Sequence, residues 1–100
     1  MTTTTTTVQG WLEDRDQAKV QVGIAKLGAD WVARHNGDPY FALWAKLVDL
    51  QLTRSLGVGL YDLADWCIYD AYADGFTPRE GAQEAVDNDD TFADVVGLLR

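Results

Sequence analysis

Residues 60 to 76, Leu-Tyr-Asp-Leu-Ala-Asp-Trp-Cys-Ile-Tyr-Asp-Ala-Tyr-Ala-Asp-Gly-Phe, constrain the fold more than any other stretch. They join an apolar helical stripe to a dense set of acids and aromatics. At roughly 100° per residue, Leu60, Ala64, Cys67, Ile68 and Ala71 fall on one arc, with Tyr61 and Tyr72 at one edge and Leu63 at the other. Asp62, Asp65, Asp70 and Asp74 occupy the opposite half, and Trp66 and Tyr69 point into it. Such aromatics are either covered by a neighbouring helix, the commoner outcome for large rings, or they form a contact site. Gly75 suits the left-handed end of this helix.

The net charge of −8 is unevenly placed. Residues 1 to 55 carry six basic and six acidic side chains, whereas residues 56 to 100 carry only Arg79 and Arg100 against ten acids. The excess therefore belongs to the C-terminal half. That asymmetry argues against direct binding to nucleic acid or to an anionic membrane, where Lys and Arg meet phosphates. It fits a basic partner, or solubility alone. At 100 residues and 47% hydrophobic content, the chain can bury one ordinary core. Neither an apolar run long enough to span a bilayer nor a basic, then apolar N-terminus is present, which points to a cytoplasmic protein. Cys67, the single cysteine, lies on the apolar arc and is expected to be a buried, inert thiol.

Residues 1 to 7 contain the threonine run Thr2 to Thr7, which lacks apolar periodicity and reads as a disordered tail before a single helical domain over residues 8 to 100. Val8 to His35 reads as one long helix or two collinear ones. One stripe holds Trp11, Ala18, Val22, Ala25, Ala29 and Val32, and a second holds Val20, Ile24, Leu27 and Trp31. Together they form a broad face suited to two neighbours. Gly23 and the alternation around Val20 to Ile24 leave a strand as the competing reading there, though it lacks an obvious partner strand.

His35-Asn36-Gly37-Asp38-Pro39 is strong punctuation. Gly37 can end one helix, Asp38 can cap the next, and Pro39 suits its first position. The helix from Pro39 to about Ser55 is apolar nearly all round, which places it centrally. A turn at Leu56 to Gly59 leads into the 60–76 helix. Thr77-Pro78-Arg79-Glu80 is a capping box opening a fourth helix, with Ala82, Ala85 and Val86 inward and Glu80, Glu84 and Asp87 on an outer arc. Asn88 to Asp90 breaks it, and Phe92, Val95, Val96 and Leu99 suggest a fifth. The expected fold is all-α, a compact bundle of about five helices with Trp44, Leu47, Val48, Leu63, Cys67, Ile68 and Phe92 in the core.

Catalytic and ligand motifs are not apparent. His35 stands at a helix end without metal-ligand spacing to another histidine or cysteine, so capping or a solvated surface is expected. P-loop, dinucleotide and nucleophile-elbow patterns are missing. An EF-hand starting at Asp70 fails, because Tyr72 and Gly81 fall where oxygen ligands are needed. The expectation is a protein without enzymatic activity, metal or cofactor.

Leu60-Tyr-Asp-Leu-Ala-Asp-Trp66, Asp70-Ala-Tyr72, Gly75, Thr77-Pro78-Arg79-Glu80 and Asp89-Asp90-Thr91-Phe92 together resemble small acidic proteins of unknown function from actinobacterial phages. The resemblance covers residues 60 to 92 and carries no active site. It implies an accessory protein, acting in the cytoplasm of a bacterial host, that binds a host or defence protein as an inhibitor. The charge then implies a partner with a basic surface, with nucleic-acid mimicry as a special case. The alternative is a self-associating, homodimeric structural protein. The candidate surface comprises Asp62, Asp65, Trp66, Tyr69, Asp70, Glu80, Glu84 and Asp87.

Overall fold

Asp38 caps the next helix as its sequence context suggests: its carboxylate accepts hydrogen bonds from the amides of Tyr40 at 2.9 Å and Phe41 at 3.2 Å. Pro39 then occupies the first helical position without losing a donor. At the other end Gly57, with φ of 71°, closes the helix in the left-handed conformation through its amide on the Thr53 carbonyl. This 18-residue helix is the centre of the computed structural model, which describes residues 10 to 63 and 67 to 87. In chain order the α-helices are α1 (Gln17–Ala25), α2 (Ala29–Arg34), α3 (Pro39–Leu56), α4 (Ile68–Ala73) and α5 (Pro78–Asp87). Short 3-10 turns at Gly10–Asp14 and Leu60–Asp62 complete the described elements, which include no strand. The all-α expectation holds.

α3 contacts each of the other four helices. Its Phe41, Ala42, Leu43, Trp44, Ala45, Val48 and Leu52 are buried, so most of the apolar circumference read from the sequence faces neighbours, while Leu50 remains exposed. Among the described residues Trp44 is the largest fully buried side chain, and its indole Nε1 donates to the Phe76 carbonyl at 2.9 Å. α5 reaches this ring because Gly81 has no side chain. A Cβ there would lie 2.7 Å from Trp44 Cη2 and 3.2 Å from Val48 Cγ2. On the opposite side α2 is tied to α3 by Trp31, whose Nε1 donates to the Ala42 carbonyl at 2.8 Å.

The N-terminal region departs from one continuous helix. Gly10–Asp14 is a 3-10 turn, and the Asp16 carboxylate starts α1 by accepting from the Ala18 amide at 3.0 Å. The chain breaks again at Lys26 to Gly28 before α2. Residues 19 to 25 are helical, which removes the strand alternative. The second stripe packs, with Val20 buried and Ile24, Leu27 and Trp31 half-buried against the core, and from the first stripe Trp11 joins them. The first stripe is largely exposed, with Val22 at 56%, so α1 has one neighbouring face and not two. At Gly10 the φ of 68° and a Cβ position only 2.7 Å from the Tyr72 carbonyl oxygen leave room for hydrogen alone.

The largest correction concerns residues 60 to 76. A single helix does not form across the described part of it. Asp49 on α3 accepts from the Leu60 amide at 2.7 Å, and Asp62 accepts from the Gly59 amide at 2.8 Å, which fixes a tight turn. Leu63 follows in an extended conformation with its side chain buried. Aspartate favours such local bonds over helix continuation. α4 starts only after Cys67, whose thiol-bearing side chain is exposed, contrary to the expected buried position. Tyr72, expected at a helix edge, is fully buried. Trp44, Val48 and Leu63 are core as expected, Leu47 and Ile68 are half-buried against it, and Phe92 lies outside the described residues, as do the threonine tail and the fifth helix expected after Asn88.

Trp44→Ala is expected to lower stability by about 3 to 5 kcal/mol through a cavity. Gly81→Ala, a change that would help an exposed helix, is expected to cost about 1 to 3 kcal/mol by overpacking the indole. Chemical denaturation of both variants checks the pair; a neutral or stabilised Gly81→Ala protein would refute the close approach.

Candidate functional site

Of the eight expected surface residues six are described, and four of these have a defined side-chain partner. Asp62 is committed to its turn through the Gly59 amide. Glu80 closes the capping box: its carboxylate accepts from the Thr77 amide at 2.8 Å, while the Glu80 amide donates to the Thr77 hydroxyl at 3.0 Å. Asp87 accepts from Gln83 Nε2 at 2.9 Å. Tyr69, 41% exposed, packs edge-on against Phe41 at a ring separation of 5.1 Å. Its neighbour Asp70 is exposed in the first turn of α4. Glu84 is exposed and shares an α5 face with Glu80 and Asp87, four residues before it and three after. α4 and α5 pack together, whereas Asp62 belongs to the turn on α3. Asp65 and Trp66 lie outside the described residues.

Among the described residues one ion pair forms, Lys46 to Asp49 at 3.9 Å. Three cations, Lys46 among them, lie over aromatic faces. The Arg15 guanidinium lies 4.8 Å from the Trp11 ring, Arg34 lies 4.8 Å from Tyr61 and 5.7 Å from Trp31, and Lys46 lies 4.9 Å from Trp31. Asp70, Glu84 and Asp87 thus carry no neutralising cation among the described residues.

Sequence reasoning missed a second constellation. His35 stands at the C-terminal end of α2 as expected, but its ring is buried, at 1% exposure. Nδ1 lies 2.6 Å from the Trp31 carbonyl, which can only accept, so Nδ1 carries the proton. Nε2 is then the acceptor for the Tyr61 hydroxyl, 26 residues away in sequence. The ring also packs against Trp31, Phe41 and Tyr61, with centroids 4.5, 5.3 and 5.7 Å away. The Trp31/His35 spacing of one helical turn is legible in the sequence; the Tyr61 partner is not. Burial is the main cause holding the His35 pKa below its ordinary value, with the Arg34 charge adding to it and the Trp31 carbonyl opposing. Burial also raises the Tyr61 pKa, with Arg34 opposing and Asp49 assisting.

The described residues contain no group of three His, Cys, Asp or Glu side chains that could hold a metal ion. Nor, among them, is any helix long and apolar enough to cross a membrane. The model of a family of unknown function, DUF5419, matches residues 40–90, from α3 through α5. Gene 87 protein of Mycobacterium phage D29 is 45% identical over 49 residues, covering 49% of this chain and 91% of that protein. Gene 87 protein of Mycobacterium phage L5 is 41% identical over 49 residues, covering 49% and 92% respectively. No solved structure matches.

The buried imidazole sets a sign for the pH dependence. Unfolding returns His35 to its ordinary value near 6.5, above its folded value, so the unfolded chain binds more protons in the interval between them. The contribution is complete above that ordinary value and is lost as pH falls through the interval. Melting temperature is therefore expected to drop more steeply from about pH 7.5 to about pH 5 in the native protein than in His35→Gln. Equal slopes would show that the histidine is not buried in its neutral form.

Proposed function

The chain belongs to this family of unknown function, and from that premise we propose that it is a phage-type accessory protein that binds a basic surface of a host or defence protein. The observation that carries the reading is the unneutralised acidity of the α4 and α5 side chains. Asp70, Glu84 and Asp87 are exposed and lack an ion-pair partner among the described residues. Their charge gives long-range attraction, and Tyr69 beside Asp70 adds a ring of the type that anchors interfaces. A partner arginine can stack on such a ring while pairing with a carboxylate. Inhibition through mimicry of a nucleic acid is the special case in which these carboxylates stand in for phosphates in a basic groove. The proposed action is non-enzymatic, needs no cofactor or metal, and takes place in the cytoplasm of a bacterial host.

Self-association is a second reading, favoured by the exposed Val22, Leu50, Tyr61 and Tyr69. Salt separates the two. Opposite-charge attraction weakens as ionic strength rises, whereas apolar self-association does not.

The test is capture of partners from host lysate by the native protein and by an Asp70→Asn, Glu84→Gln, Asp87→Asn variant, with folding followed separately. The variant is expected to keep its melting temperature within a few degrees and to lose roughly tenfold or more in affinity for the captured protein. Native binding is expected to fall steeply between about 0.05 and 0.5 M salt. Undiminished capture by the folded variant would assign the acidity to solubility alone.

A further inference from the structure

One side of α3 presents Leu47, Leu50, Gln51 and Arg54 at the spacing of a single helical face, and they line an open cleft of about 340 Å³. Trp11 from the first 3-10 turn and Thr77, Pro78 and Arg79 from the start of α5 form its other walls. Its chemistry runs against that of the chain as a whole. In a protein of net charge −8, none of the lining residues is acidic and two are arginines. Arg79 is one of only two basic residues in the acidic half of the sequence. A third guanidinium, that of Arg15, stacks on the Trp11 ring. The nearest acid in sequence, Glu80, has its carboxylate engaged by the Thr77 amide.

Neither Arg54 nor Arg79 has an ion-pair partner among the described residues. Both are exposed beside Leu50, a leucine left 39% exposed in the longest helix. Apolar walls of Trp11, Leu47, Leu50 and Pro78 with two unneutralised guanidiniums complement a ligand that brings apolar side chains and carboxylates together. Because the cleft is open and not enclosed, it suits a segment laid along the surface more than an engulfed small molecule. We propose that this cleft docks an acidic amphipathic segment of a partner protein, its apolar residues on Trp11 and Leu50 and its carboxylates on Arg54 and Arg79. This surface has the opposite charge preference to the α4 and α5 acids, and it stands whether or not they bind anything.

The experiment is selection from a displayed library of short random peptides on the full chain, with an Arg54→Glu, Arg79→Glu variant as the comparison target. Acidic amphipathic sequences are expected among those enriched on the native protein, and synthetic copies are expected to bind the variant about tenfold or more weakly. Basic peptides attracted by the acidic face are expected on both. Circular dichroism monitors folding, and should the charge reversal disturb it, Arg54→Gln with Arg79→Gln and, separately, Leu50→Ala carry the same comparison. The proposal is overturned if no acidic sequence is enriched, or if the acidic peptides bind the native protein and folded variants equally. Sedimentation showing a dimer that the arginine changes abolish would make a second copy the occupant. A rise in peptide affinity on replacing Asp89, Asp90 and Asp94 with asparagine would make it the chain's own C-terminal segment. Either result overturns the assignment to a partner.

Discussion

The Trp44 indole, laid against a helix that has only hydrogen at position 81, is the contact on which the rest of the structure depends. Its Nε1 bond to the Phe76 carbonyl fixes the entry into α5, and its ring meets the backbone face of that helix directly. Burial of a large ring with its polar atom satisfied is favourable twice over, since the apolar area leaves water and the donor is not stranded. From Trp44 the packing runs on through Tyr72 at 5.8 Å and from there to Phe41 at 5.3 Å. Phe41 continues it to His35, and His35 to Trp31 and Tyr61. The helices are held along a file of rings drawn from residues 31 to 72, so elements distant in sequence share one continuous core.

This file also orders the charges. Rings that reach the surface, Trp31 and Tyr61, offer their faces to Arg34 and Lys46, while Trp11 takes Arg15. A cation over a ring leaves carboxylates elsewhere without a counter-charge. The acidic α4 and α5 surface and the two unpaired arginines of the α3 cleft both lie outside this allocation. A molecule of strongly negative net charge consequently retains a small region of opposite character.

Helix ends were the most legible part of the sequence. Asp38-Pro39, Gly57, Gly75 and Thr77-Pro78-Arg79-Glu80 each encode a local backbone event, and each is found where its chemistry requires. Periodicity was less reliable. Residues 60 to 76 scan as one amphipathic helix, but Asp49, eleven residues upstream, captures the Leu60 amide and turns the chain. That bond is a tertiary choice, invisible to any local window. The same limit hid Tyr61 as the partner of His35, and it hid which of the two α1 stripes would be covered. Of the candidate surface, the outer arc of α5 was readable because helical spacing alone determines it. The arginine cleft was not, since three separate elements build it.

Two glycines meet a neighbour at the same 2.7 Å but differ in what could ever relieve the crowding. At Gly81 the obstacle is the rim of an indole, so a smaller ring at position 44 could accept a side chain at 81, and the pair has a route for compensating one another. At Gly10 the obstacle is the Tyr72 carbonyl, and the local φ is left-handed as well. Replacing another side chain does not remove a main-chain oxygen. Genetic suppression is thus open to the first position and closed to the second, which makes the join between the opening turn and α4 the less evolvable of the two contacts.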